Sequence, residues 1–288
     1  MHNRSSLNKK SSKVIVQSAI LILIFAVLII SLSTKPGIRG AIANNLWSST
    51  VIKGYPNGTL STKLLLAAPT GHPHASLLQA RVAMEKGETE KAIGLLEPFT
   101  ATSDPVLMGT QAEVLFTAQR YPEALEIWRK LGEYGDIEHA ARILSAEGNI
   151  DMEILAWRKA NEIRPDIYRI ILLLALVSKA NAFRDEGNYS EAISQYGAII
   201  EEFPQDERPY YELAWAYWLI GEADLAISSI ERAVVIGPSN LRVYLRAGQI
   251  YELAGNPQKA LQAYQRASQI SPENLEALQA LERIKHTP

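Results

Sequence analysis

Between Ala180 and Pro272 the same residue types return every 34 positions. Tyr210, Leu213, Ala214, Tyr217, Gly221, Ala226, Ile230, Ala233 and Pro238 precede Tyr244, Ala247, Gly248, Tyr251, Gly255, Ala260, Tyr264, Ala267 and Pro272 by that interval. One period earlier stand Ala180, Phe183, Gly187, Ala192, Tyr196 and Pro204. Within a period, Tyr244, Ala247, Gly248 and Tyr251 recur at i, i+3, i+4 and i+7, which is one face of a helix. Gly255-Asn256-Pro257 ends that helix and opens a second, on which Ala260, Tyr264 and Ala267 form another apolar stripe before Pro272. Each period is therefore a helical hairpin. Its small residues let two backbones approach, and its remaining apolar face needs a neighbour, so such units must stack.

This order of residues resembles the tetratricopeptide repeat family, whose pattern runs W-x2-L-G-x2-Y, then A-x3-F, then P. Tyr stands where the family often has Trp. The resemblance implies an all-α fold, a right-handed superhelix of stacked helix-turn-helix repeats. Upstream the pattern blurs but persists. The small position of the second helix runs Ala92, Ala124, Glu153, Ala192, Ala226, Ala260, at spacings of 32, 29, 39, 34 and 34. This predicts about six repeats over 73–274, the last three at 173–206, 207–240 and 241–274, with a capping helix over 275–288. The wide spacing of 39 predicts one long first helix carrying the apolar run Ile170 to Val177. That run is too short to cross a bilayer and reads as a helix buried on more than one side.

The chain before Pro73 is a different material: eight Lys and Arg and no Asp or Glu. The remainder carries a formal charge of −10, hidden by the overall −2. Within the basic part, Val14 to Leu32 is nearly continuous apolar chain, about 28 Å as a helix and close to the hydrocarbon thickness. It is longer than a signal peptide's apolar core, and the first small-x-small site, Ala41-Ile42-Ala43, lies well beyond it. It reads as a retained single-pass transmembrane helix over 14–32, preceded by a basic cytoplasmic tail over 1–13. Four basic residues precede the span against Lys35 and Arg39 just after it, which places the repeats on the extracytoplasmic side of the cell membrane. A membrane-proximal linker over 33–72 follows, with Ile38, Ile42 and Leu46 spaced for an amphipathic helix. Lack of cysteine shows only that no disulfide is needed.

The chain carries no Gly-rich phosphate loop, no H-E-x-x-H and no G-x-S-x-G. His72 and His74 stand beside no carboxylate cluster and read as solvated linker. The expectation is a protein without catalytic residues, cofactor or metal, and without a nucleic-acid or small-molecule partner.

What remains is a binding surface. In tetratricopeptide repeats the first helices line a concave face that holds a partner's segment, and the inward positions are roughly the second, fifth, sixth, ninth, twelfth and thirteenth. Carried onto this chain they include Asn181 and Arg184, then Tyr211, Glu212, Trp215 and Trp218, then Arg242, Arg246 and Gln249. Aromatic and arginine side chains facing one cavity are what binding hot spots are made of. Arg242 and Arg246 stand out, because core packing gives no reason for two arginines one turn apart. One branch of the family grips the carboxyl terminus of heat-shock chaperones with five groove residues. This chain is similar at Asn181, Arg242 and Arg246, but departs at Val177 and at Glu212, whose charge opposes a carboxylate. The expected function is a membrane-anchored, non-catalytic scaffold that holds a protein or peptide partner and organises an envelope complex. The alternatives are a cytosol-facing receptor for chaperones or targeted proteins, and an accessory subunit of an envelope enzyme such as one building surface polysaccharide.

Overall fold

The computed structural model describes residues 73–285. The basic tail, the apolar span, the linker, His72 and the last three residues lie outside them. Among the described residues there are thirteen α-helices, one short 3-10 turn and no strand. The chain divides into two compact units between Ala124 and Leu125.

The first unit contains α1 (Pro73–Glu85), α2 (Thr89–Leu96), the 3-10 turn Glu97–Phe99, α3 (Pro105–Thr117) and the start of α4 (Tyr121–Leu131). Here α1, α2 and α3 pack around Leu77, Ala80, Ala83, Ala92, Leu96, Leu107 and Val114. Asp104 starts α3, its carboxylate accepting from the Val106 amide at 2.9 Å, which satisfies a donor the helix itself leaves free.

The second unit holds the rest of α4 and then α5 (Tyr134–Ala146), α6 (Ile150–Ile163), α7 (Pro165–Asp185), α8 (Tyr189–Glu202), α9 (Arg208–Leu219), α10 (Ala223–Ile236), α11 (Leu241–Leu253), α12 (Pro257–Ile270) and α13 (Leu275–Lys285). From α5 onward each helix packs on the next, and the first helices of successive hairpins also touch, α7 on α9 and α9 on α11. The positions read as small are fully buried: Ala180, Ala192, Ala214, Ala226, Gly248 and Ala260. Glu153 occupies the equivalent place in α6 without being buried against the partner helix. Its carboxylate turns back to accept from the Trp157 indole at 3.1 Å.

Hairpin turns share one construction. Gly255 adopts φ +71°, a left-handed conformation that side chains with a Cβ resist, and the Asn256 amide bonds back to the Tyr251 carbonyl at 2.8 Å. Asn256 then caps α12 by accepting from the Lys259 amide, with Pro257 in the first helical position. The turn between α3 and α4 does the same work with Gln119 at φ 61°.

The expectation for the apolar run in α7 needs correction. Its residues are buried on one side only: Leu172, Leu173, Leu176 and Val177 face the core, whereas Ile167, Ile170 and Leu174 remain 43%, 49% and 50% exposed. The helix is 21 residues long and begins at Pro165, the long first helix that the wide spacing predicts, and so extends back beyond the repeat boundary at 173. The extra turns are held by Tyr168, which stacks on Trp157 with ring centroids 5.9 Å apart and donates to Glu138 at 2.7 Å. Burial, helped by that bond to Glu138, pushes the Tyr168 hydroxyl up to about 12. No helix among the described residues is long and apolar enough to cross a membrane.

On the outer surface, Glu126 and Arg129 of α4 meet Lys159 and Glu162 of α6 in a closed network, with ion pairs of 2.6, 3.0, 3.3 and 3.4 Å. The Arg129 guanidinium, with Lys159 beside it and against the opposing effect of burial, pulls the Glu126 carboxyl down to about 2. A depressed acid stabilises the fold above its ordinary value of 4.5, and loses that contribution as pH falls through the folded value. Glu126→Gln should therefore lower stability at pH 6 by about 1 kcal/mol, a modest figure because the pair is partly solvated. The gap to the parent should close between pH 4.5 and 2, as read by urea unfolding across that range.

Candidate partner-binding site

The first helices α7, α9 and α11, followed by the terminal helix α13, present one continuous row of polar and aromatic side chains. Tyr211, Glu212, Arg242, Leu245, Arg246, Gln249 and Glu276 line a cavity of about 250 Å³. Of the residues expected at a groove, the structure brings Tyr211, Glu212, Arg242, Arg246 and Gln249 directly around it.

Arg246 anchors the cavity. Its guanidinium lies 4.5 Å above the Trp215 ring and donates to the Gln249 side-chain oxygen at 3.0 Å. Stacking of a partly desolvated guanidinium on indole is worth about 1 to 2 kcal/mol. Burial draws its pKa below the ordinary arginine value, and the nearby Glu212 carboxylate opposes that shift. Arg246 is thus half-buried and built into its surroundings. Gln249 passes the bond on, donating to Glu276 of α13 at 2.9 Å. Arg242 is exposed at the mouth, and its charge offsets part of the rise that burial imposes on the Tyr211 hydroxyl pKa. Among the described residues neither Arg242 nor Arg246 has a carboxylate within ion-pair distance.

Asn181 and Arg184 sit one helix away and join the site through Glu212. Arg184 donates to Glu212 from across the α7–α9 contact, and both side chains are nearly buried, at 12% and 13% exposure. Arg184 also donates to Asn181 at 3.2 Å and to Tyr196 at 3.4 Å, while the Tyr196 hydroxyl donates to Asn181. Glu212 is therefore an internal counterion. Its charge, which the sequence presents as a repulsion facing any carboxylate, is taken up by Arg184.

Trp218 is placed differently. It is partly buried against the core formed by α9 to α13 and does not line the cavity. Three equivalent pairs show why. Arg184 meets Tyr196, and two periods later Glu252 meets the Tyr264 hydroxyl at 3.0 Å; between them the same two positions hold Trp218 and Ile230. The middle hairpin solves with apolar packing what its neighbours solve with a hydrogen bond.

Two cavity residues escaped the sequence reading, Leu245 and Glu276, and a third arginine, Arg208, lies close enough to influence the Tyr211 hydroxyl. Arg208 and Glu276 stand one full period to either side of Arg242. Extending that one position through all repeats and into the terminal helix finds both. No group of three or more metal-ligating side chains occurs among the described residues.

Sequence models of the tetratricopeptide repeat match residues 177–240 and 241–274. No curated protein sequence matches the chain. Among solved structures it is similar to the first TPR domain of the human RPAP3 protein, at 27% identity over 39% of this chain and 89% of that one, with a TM-score of 0.38. It is also similar to the first TPR of Spaghetti (RPAP3) bound to HSP90 peptide SRMEEVD, at 27% identity over 39% and 90%, TM-score 0.37. MamA protein matches at 24% identity over 52% of this chain and 78% of that one, TM-score 0.39. Residues 177–274, which carry the cavity's arginines, are tetratricopeptide repeats, a fold typically used for protein interaction rather than catalysis.

Proposed function

We propose that the protein is a non-catalytic, membrane-anchored scaffold that binds a partner protein in the groove of α7, α9 and α11 and organises a cell-envelope complex. The observation that carries this reading is the pair Arg242 and Arg246, two guanidinium groups facing one cavity with no carboxylate of their own. Trp215 and Gln249 hold Arg246 in place but neutralise no charge, and a partner's acidic group would complete both guanidinium groups. Trp215 beneath Arg246 and buried Tyr211 beside Arg242 form a rigid aromatic floor for the two guanidinium groups. The anchor and the extracytoplasmic side rest on the apolar span Val14 to Leu32 and on the basic residues before it.

In-cell crosslinking with mass spectrometry on the full-length protein tests this, with an Arg242→Ala/Arg246→Ala version beside it. The expected result is a partner that the parent captures and the double variant loses by tenfold or more. Equal recovery from both versions overturns the groove as docking site. Protease added to intact cells should digest the repeats; protection would instead favour a cytosol-facing receptor. A captured enzyme would make the protein its accessory subunit.

A further inference from the structure

The second position of successive repeats carries Leu174, Arg208, Arg242 and Glu276, each one full period after the last. These residues lie on four neighbouring helices in order. α7 touches α9 and α9 touches α11, while Gln249 and Glu252 of α11 bond to Glu276 and Arg283 of α13. The row changes chemistry as it crosses the groove, from apolar through two basic side chains to acidic. Each member keeps capacity for a partner. Leu174 is half exposed and continues an open apolar stripe with Ile167 and Ile170. Arg208 reaches Asp206 through Nε at 3.5 Å and keeps 27% of its side chain exposed, and Arg242 has no carboxylate within ion-pair distance among the described residues. Glu276 is exposed and meets Gln249 through Oε1.

We infer that this row reads an extended segment of the partner whose side chains run apolar, acidic, acidic, basic, one for each helix crossed. Packed helices lie about 8–10 Å apart and an extended chain advances about 3.3 Å per residue, so the specified side chains recur about every three residues. Charge complementarity sets the order, and the two carboxylates fall against Arg208 and Arg242 while the cation meets Glu276. The apolar stripe on α7 is too small for a stable dimer of this chain by itself. Three half-exposed side chains offer roughly 300 Å² at most, against about 800 Å² per partner in a stable interface. It fits instead the apolar end of a segment that gains the rest of its contact in the groove. This inference rests on the groove being the docking site.

The test selects a phage-displayed library of random twelve-residue peptides on the full-length protein in detergent, and on Arg242→Glu and Glu276→Lys versions. Both altered side chains are exposed, and matching thermal melts verify that the versions fold. The parent should enrich peptides with apolar, acidic and basic residues in this order at three-residue spacing. Arg242→Glu should change one acidic position to basic, and Glu276→Lys should change the basic position to acidic. Parent-selected peptides should bind each version at least tenfold more weakly by fluorescence anisotropy. A consensus lacking this order, one indifferent to both charge swaps, or no enrichment overturns the inference. If that happens while Arg242→Ala/Arg246→Ala still loses its crosslinked partner, the groove stands and only the segment chemistry falls. If the peptides behave as expected but the crosslinked partner is unaffected, it is the scaffold reading that falls.

Discussion

Glu212→Ala is expected to destabilise the helices from α7 to α11 by about 3 kcal/mol, the cost of leaving a nearly buried guanidinium without its carboxylate. Arg184 and Glu212 face each other across two hairpins at 12% and 13% exposure, so water replaces little of what the substitution removes. Asp185, which Arg184 also contacts at 2.9 Å, is exposed and compensates only in part. The same reasoning predicts that removing both charges is far milder. Arg184→Met combined with Glu212→Leu should return to within about 1 kcal/mol of the parent, because a buried ion pair gains little over apolar packing of similar volume. Urea unfolding followed by tryptophan fluorescence reads both, since Trp215 and Trp218 lie on the same helix as Glu212. A single variant as stable as the parent would mean that Glu212 is not the internal counterion of Arg184.

Gly248→Ala gives the second large effect, about 1 to 3 kcal/mol of lost stability from overpacking. A methyl group there would stand 2.6 Å from Cζ of Tyr264 and nearer still to the ring edge. Tyr264 is fully buried and fixed at its far end by Glu252, so the ring cannot swing away. Alanine's better helix propensity recovers about 1 kcal/mol at most. The hairpin of α7 and α8 accommodates Ala180 with Tyr196 at the equivalent positions, so a wider spacing of the two helices is attainable and bounds the penalty. One repeat earlier the pair is Ala214 with Ile230. Gly248→Ala with Tyr264→Ile rebuilds that combination, and should cost less than the two single changes added together. Strict additivity in a double-mutant cycle would show that the two side chains do not touch.

The hairpins were legible because small residues recur at a fixed interval and each one seats a helix. The cavity arginines were legible as well, since Arg242 and Arg246 break the pattern of a packed helix. Other features depend on contacts between distant parts of the chain. Glu212 looks like a repulsive charge until α7 brings Arg184 against it from 28 residues away. Trp218 fits core and groove equally well by type, and only its packing beside Ile230 and the core of α9 to α13 decides. The apolar run of α7 could have been divided from its spacing alone. Ile167, Ile170 and Leu174 form one stripe, while Tyr168, Leu172 and Leu176 form another. Counting apolar residues without that division suggests burial on all sides. Arg208 and Glu276 follow from the period itself, once it is carried past the end of the last repeat.

The three pairs Arg184–Tyr196, Trp218–Ile230 and Glu252–Tyr264 have a consequence for how the chain assembles. Repeated hairpins of near-equal length run the risk of a first helix closing on the wrong second helix. Here closure on the second helix of an adjacent hairpin strands something, whereas only the exchange of Tyr196 and Tyr264, two repeats apart, keeps a hydroxyl in place. Arg184 set against Ile230 loses the Tyr196 hydroxyl, and Trp218 set against Tyr196 or Tyr264 buries a hydroxyl without its first-helix partner. Such orphaned polar groups cost about 1 to 3 kcal/mol each, enough to make a misregistered nucleus dissolve before it grows. The variation between otherwise equivalent repeats therefore acts as a set of keys, by which each hairpin recognises its own second half and rejects its neighbour's.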